Sequence, residues 1–159
     1  MFILKIRCKA LALCIVIPLL TGVVSGLLSR GGMEDFGNVI KPPLSPPGWL
    51  FPVVWTILYT MMGIASYLVL VGNGSGADTE KALLTYSVQL FFNFLWSIIF
   101  FNFELYTFAF LWLVALLVLI IITAVRFAKI SRPAAYLMIP YILWVTFAGY
   151  LNFGIAVMN

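Results

Sequence analysis

Trp55 with Tyr59, then Gln89, Asn93 and Trp96, then Tyr141, Trp144, Ala148 and Asn152 form three groups spaced by three or four residues. On a helix that spacing places each group on one face. Indole, phenol and amide groups stack on and hydrogen-bond to a large, flat, mostly apolar molecule. Trp112 adds a further indole from another segment. The chain has no histidine, which removes the commonest metal and haem ligand and the usual general base. Asp35, Asp78, Glu34, Glu80 and Glu104 all border loops, and no Lys or Arg sits mid-segment. The intramembrane ionisable group of a coupled transporter is therefore missing, as are the acid pair and the triad of hydrolases. Binding is the chemistry left, with no metal site and no required cofactor.

The elements that position these residues follow from charge. Of 159 residues, 64% are hydrophobic and only 9% charged, against roughly 25% charged in a soluble domain. The charges leave five long uncharged runs: Ala10–Ser29, Pro42–Ala77, Ala82–Phe103, Leu105–Val125 and Pro133–Asn159. Each holds the ~20 residues that span a bilayer as a helix. The expected fold is an all-α membrane protein, a single bundle of five transmembrane helices near 8–28, 47–71, 79–101, 106–129 and 133–157. The first run has the charged start of a signal peptide, but its 20 uncharged residues are long for an h-region, so it is read as a retained helix.

Lys5, Arg7, Lys9, Lys81, Arg126, Lys129 and Arg132 fall on one side of such a bundle, and only Arg30 and Lys41 on the other. The bias puts the N-terminus in the cytoplasm. It also accounts for the net charge of +4 without a nucleic-acid partner. Cys8 and Cys14, six apart, point to different faces and are read as small apolar fillers. Gly22 and Gly26, with Thr21 and Ser25, make a small-residue stripe suited to close contact inside the bundle or, less favoured, at a dimer seam. Gly72 to Gly76 reads as a flexible linker, with Asp78, Thr79 and Glu80 favouring the next helix start.

The loop 29–47 mixes Arg30, Glu34, Asp35 and Lys41 with Met33, Phe36, Val39 and Ile40, a composition for a folded-back lid. Its end, with prolines 42, 43, 46 and 47, is a stiff approach to the second helix. Pro52 would free the Gly48 carbonyl if the helix has begun by then. Trp49 fits an interfacial anchor, whereas Trp96 and Trp144 lie about halfway along their helices and are read as pocket wall.

Four elements in order carry a family resemblance. They are Lys41-Pro42 with Pro46-Pro47; Trp49-x-Phe51-Pro52-x-x-Trp55-Thr56-x-x-Tyr59; Gln89-Leu90-x-x-Asn93-x-x-Trp96; and Pro140-Tyr141-x-x-Trp144-x-x-x-Ala148-x-x-Leu151-Asn152. With these the chain resembles the translocator protein family, also called tryptophan-rich sensory proteins or peripheral benzodiazepine receptors. The resemblance implies a bundle that is usually a homodimer, in this case in a bacterial cell membrane and in contact with membrane lipid. It implies a cavity beneath the first loop that binds porphyrins such as protoporphyrin IX and synthetic isoquinoline or benzodiazepine ligands. The implied wall is Trp55, Tyr59, Gln89, Asn93, Trp96, Trp144 and Ala148, with Trp112. It further implies light-dependent porphyrin breakdown in which Trp55 and Trp144 act as electron donors.

The alternative reading is a sterol or lipid transport protein without porphyrin chemistry. No Lys or Arg follows Arg132, so the sterol motif of some relatives is absent from the last helix. Relatives often carry an aromatic pair near positions 35–36, where only Phe36 stands here, which implies a looser lid.

Overall fold

The computed structural model describes residues 7–159, so Lys5 of the charge bias lies outside the described residues. The described chain is helical, with no strand: α1 (Cys8–Leu28), α2 (Arg30–Asp35), α3 (Leu50–Leu70), α4 (Gly76–Ser97), α5 (Tyr106–Ile130) and α6 (Arg132–Met158). A 3-10 turn (Phe36–Asn38) follows α2, and a π-helical turn (Ile98–Asn102) extends α4. Among the described residues, five segments are long and apolar enough to cross a membrane: α1, α3, α4 with its π turn, α5 and α6.

Several boundaries differ from the sequence reading for local reasons. The second span begins at Leu50 rather than 47, so Pro52 sits in the first turn, where a backbone N–H has no intrahelical acceptor. It therefore frees no Gly48 carbonyl. The third span begins at Gly76 rather than 79, because Ser75 caps it: the Ser75 hydroxyl accepts from Asp78 N (3.1 Å) and donates to Asp78 Oδ2 (2.7 Å). The same span leaves α-helical geometry after Ser97, and the loop 29–47 contains α2 and the 3-10 turn.

The spans close a ring: α1 packs on α3, α3 on α6, α6 on α5, α5 on α4, and α4 on α1. Its centre holds Leu58, Met62, Ala65 and Val69 of α3, spaced by three and four, against Leu116 and Ile120 of α5 and Met138, Tyr141 and Val145 of α6. The outer face carries the exposed apolar residues, such as Leu20, Val24 and Leu27 on α1 and Leu111 and Val118 on α5. With lipid outside, polar side chains turn inward, and Ser25, Ser66, Thr85, Gln89, Asn93, Thr123 and Asn152 are all buried.

The α1–α3 contact depends on Gly63. A Cβ there would lie 2.5 Å from Ile15 Cα and 2.6 Å from Cys14 O, both backbone atoms that cannot swing aside. Gly63→Ala is expected to cost about 1–3 kcal/mol, read as a lower melting temperature in detergent. An unchanged melting temperature would show that the two helices do not approach this closely.

Candidate ligand-binding cavity

On the loop side of the ring, α1, α3, α4 and α6 separate around a cavity of about 560 Å³, within the usual range for small-molecule pockets. Trp55 and Tyr59 reach it from α3, Asn93 and Trp96 from α4, and Trp144, Ala148 and Asn152 from α6. The small-residue stripe supplies the α1 wall, with Gly22, Ser25 and Gly26 all lining the space. Gly22 is packed on the Tyr59 ring, and Ser25 Oγ donates to Phe94 O (3.0 Å), so this stripe faces into the bundle.

A buried chain of side-chain hydrogen bonds ties the walls together. Tyr59 Oη donates to Asn93 Oδ1 (2.7 Å), Asn93 Nδ2 to Tyr141 Oη (2.7 Å), and Tyr141 Oη to Gln89 Oε1 (2.8 Å). Gln89 Nε2 ends the chain on Met62 Sδ at 3.8 Å. A second set fixes Trp96: its Nε1 donates to Asn152 Oδ1 (3.1 Å), and Asn152 Nδ2 donates to Tyr106 O (2.8 Å).

The aromatic rings are arranged around these anchors. Trp55 stacks on Tyr59 (centroids 5.4 Å apart) and meets Tyr141 edge-on at 6.2 Å. Trp96 stacks on Phe100 at 5.2 Å, and Phe51 meets Trp144 edge-on at 5.9 Å. The Trp144 Nε1–H is buried without a protein acceptor, an arrangement that is costly unless something else accepts from it.

Two of the expected wall residues stand elsewhere. Gln89 is fully buried but does not line the cavity; it lies one hydrogen-bonded partner behind Asn93, through Tyr141. Trp112 belongs to α5, which contributes nothing to the cavity. Its indole stacks on Phe92 at 4.2 Å and donates to Phe92 O (2.9 Å), joining α5 to α4. Trp49 is 67% exposed and also lies outside the cavity lining.

The sequence reading missed Phe100 and Phe101. The π turn carries both to the cavity, where Phe36 of the lid packs on them at 5.5 and 5.3 Å. The single Phe36 thus seats the lid on two rings. Lys41 Nζ lies 4.8 Å over the Phe36 ring and lines the cavity, whereas Arg30 is exposed and pairs with Glu34 at 3.6 Å. Three further contacts hold the lid to α6 and to Asn159, which caps it: Tyr150 Oη donates to Pro43 O (2.8 Å), Ile40 N donates to Asn159 Oδ1 (3.0 Å), and Asn159 Nδ2 donates to Ile40 O (2.9 Å). These are long-range pairings that no local pattern announces.

The TspO/MBR family model matches residues 14–158, which takes in the lid and every wall of the cavity. The chain belongs to the TspO/MBR family. As a TspO/MBR protein with five candidate spans, it is a multi-pass integral membrane protein. It is 37% identical over 150 residues to the tryptophan-rich protein TspO of Chlorobaculum tepidum, covering 94% of this chain and 95% of that one. It is 35% identical to Protein CrtK of Rhodobacter capsulatus, over 87% of this chain and 85% of that one. The translocator protein of Bos taurus is 32% identical, over 86% of this chain and 82% of its own. A sensory or transport role in the membrane is the function these TspO/MBR relatives support.

Proposed function

We propose that this protein binds porphyrins of the protoporphyrin IX type, and other flat hydrophobic molecules, in the cavity beneath the lid. One observation carries the reading: a 560 Å³ space walled by Trp55, Trp96 and Trp144 that, among the described residues, holds one cation, Lys41, and no carboxylate. Rings of that kind present broad faces for stacking. Lys41 suits a ligand carboxylate at the mouth, and the unpaired Trp144 N–H suits an acceptor. The absence of histidine favours a metal-free ring over axially ligated haem. The protein acts as a homodimer in a bacterial cell membrane, and the Lys and Arg bias supports a cytoplasmic N-terminus.

Titration of detergent-solubilised protein with protoporphyrin IX tests this. Saturable quenching of tryptophan fluorescence is expected, weakened about tenfold in Trp55→Leu with Trp144→Leu, the loss expected from two stacking faces at ~0.5–1.5 kcal/mol each. Linear, non-saturating quenching, or full affinity in the double variant, contradicts the proposal.

A second reading, light- and oxygen-dependent porphyrin degradation, is favoured by the stacking of Trp55 on Tyr59 and its edge contact with Tyr141. An indole so placed can give an electron to an excited porphyrin, with dioxygen as the terminal oxidant. Illumination is expected to yield a new absorbing product, slowed in Trp144→Phe with binding retained. Equal bleaching in protein-free micelles contradicts it.

A further inference from the structure

The buried hydrogen-bond chain behind Tyr59 has a direction, and its far end determines that direction. Met62 and Gln89 are both fully buried, with relative exposures of 0%. A thioether sulfur has lone pairs but no proton to give. Facing Met62, Gln89 therefore gains a bond only by presenting its amide N–H₂, as observed at 3.8 Å. Its Oε1 then points the other way and must accept, which obliges Tyr141 Oη–H to donate to it (2.8 Å). With its single proton spent, Tyr141 accepts from Asn93 Nδ2, and Asn93 Oδ1 accepts from Tyr59 Oη–H. Each step leaves the next only one choice. The last member, Tyr59, lines the cavity with its proton already committed inward.

We propose that Met62, through Gln89, sets Tyr59 as a hydrogen-bond acceptor toward the cavity, so that among flat ligands the site favours an N–H or O–H over a hydrogen-bond acceptor at the edge that meets Tyr59, while an apolar edge such as that of a porphyrin is tolerated. Asn93 also lines the cavity, but it keeps one spare N–H and one spare lone pair in either direction of the chain. Tyr59 is thus the member whose polarity discriminates. A ligand offering an acceptor at Tyr59 either leaves two lone pairs facing each other or turns the phenol proton outward. The second choice strips Asn93 Oδ1 of its donor in a buried site, and discrimination of this origin is typically strong. By the same logic a carboxylate edge belongs at Lys41, away from Tyr59. Gln89 and Met62 act as positioning residues, since neither lines the cavity.

The inference rests on the cavity being the ligand site, and three isosteric tricyclic probes separate the two claims. Carbazole carries a ring N–H, dibenzofuran a ring oxygen acceptor, and fluorene neither. Dissociation constants are measured on the purified full chain and corrected for partition into protein-free micelles. The wild type is expected to bind carbazole at least about fivefold tighter than dibenzofuran. Tyr59→Phe is expected to abolish that ratio while still binding fluorene. Gln89→Leu removes the acceptor for Tyr141, so the chain reverses: Tyr141 donates to Asn93, Asn93 donates to Tyr59, and the Tyr59 proton is freed to the cavity. In that variant the preference is expected to shift toward dibenzofuran, although Gln89 does not line the cavity. A wild type that binds fluorene without favouring carbazole overturns the inference and leaves the cavity reading standing. So does a carbazole preference that survives both substitutions unchanged. A wild type that binds none of the three overturns both.

Discussion

Asn93→Leu is expected to lower stability by about 2–4 kcal/mol, among the largest effects of any single polar substitution in the bundle. Asn93 holds Tyr59 of α3 and Tyr141 of α6 at once, each at 2.7 Å, and all three side chains are buried. Leucine keeps the branched shape of asparagine and removes both its donor and its acceptor, so the loss is mainly one of hydrogen bonding. The Tyr59 hydroxyl loses its acceptor and the Tyr141 oxygen its donor. Because part of the cost is the stranded phenol, Tyr59→Phe added to Asn93→Leu is expected to restore about 1 kcal/mol. Denaturation in detergent with both variants measures this. Additive losses would show that Asn93 and Tyr59 are not coupled.

Gly154→Val is expected to weaken protoporphyrin IX binding roughly 10- to 100-fold, mainly through faster dissociation. A Cβ at Gly154 would lie 2.6 Å from Pro42 Cβ and 2.7 Å from its Cγ. Proline is rigid, so the obstruction pushes the lid rather than bending one side chain. It also strains the neighbouring ties from Tyr150 to Pro43 and from Asn159 to Ile40. Because Gly154 lies on the side of α6 that carries the lid contacts and is not itself part of the cavity lining, stacking on Trp55 and Trp144 stays intact. Stopped-flow dissociation is the measurement, and Pro42→Gly in the Gly154→Val background is expected to recover part of the affinity. An unchanged off-rate would show that the lid does not retain the ligand.

How much of this was legible in the sequence depends on the range of the physics involved. The walls on α3, α4 and α6 were readable because polar and aromatic residues recur at three and four in segments bathed in lipid, where they must turn inward. The same rule could not separate a wall from a joint. Gln89 obeys the spacing yet lies behind the wall, and Trp112, a lone indole from a fourth segment, joins α5 to α4. That distinction depends on which way α5 is rotated and on how deep the cavity runs. The π turn has no local signature, since Ile98–Asn102 contains neither proline nor glycine. Within it, Phe100 and Phe101 pack against Phe36 of the lid, a long-range contact. The looser lid expected from a single aromatic at Phe36 meets a structure in which that ring has two partners and α6 with its cap Asn159 adds three hydrogen bonds.

A second apolar hollow competes with the cavity for a flat ligand. It is an open groove of about 310 Å³ between α5 and α6, lined by Leu113, Val114, Leu117 and Phe153 among others. A structure of the protein with protoporphyrin IX decides between them. The macrocycle is expected between Trp55, Trp96 and Trp144, with a propionate at Lys41 and the lid closed above it. A macrocycle lying in the α5–α6 groove, with the cavity empty, would contradict it.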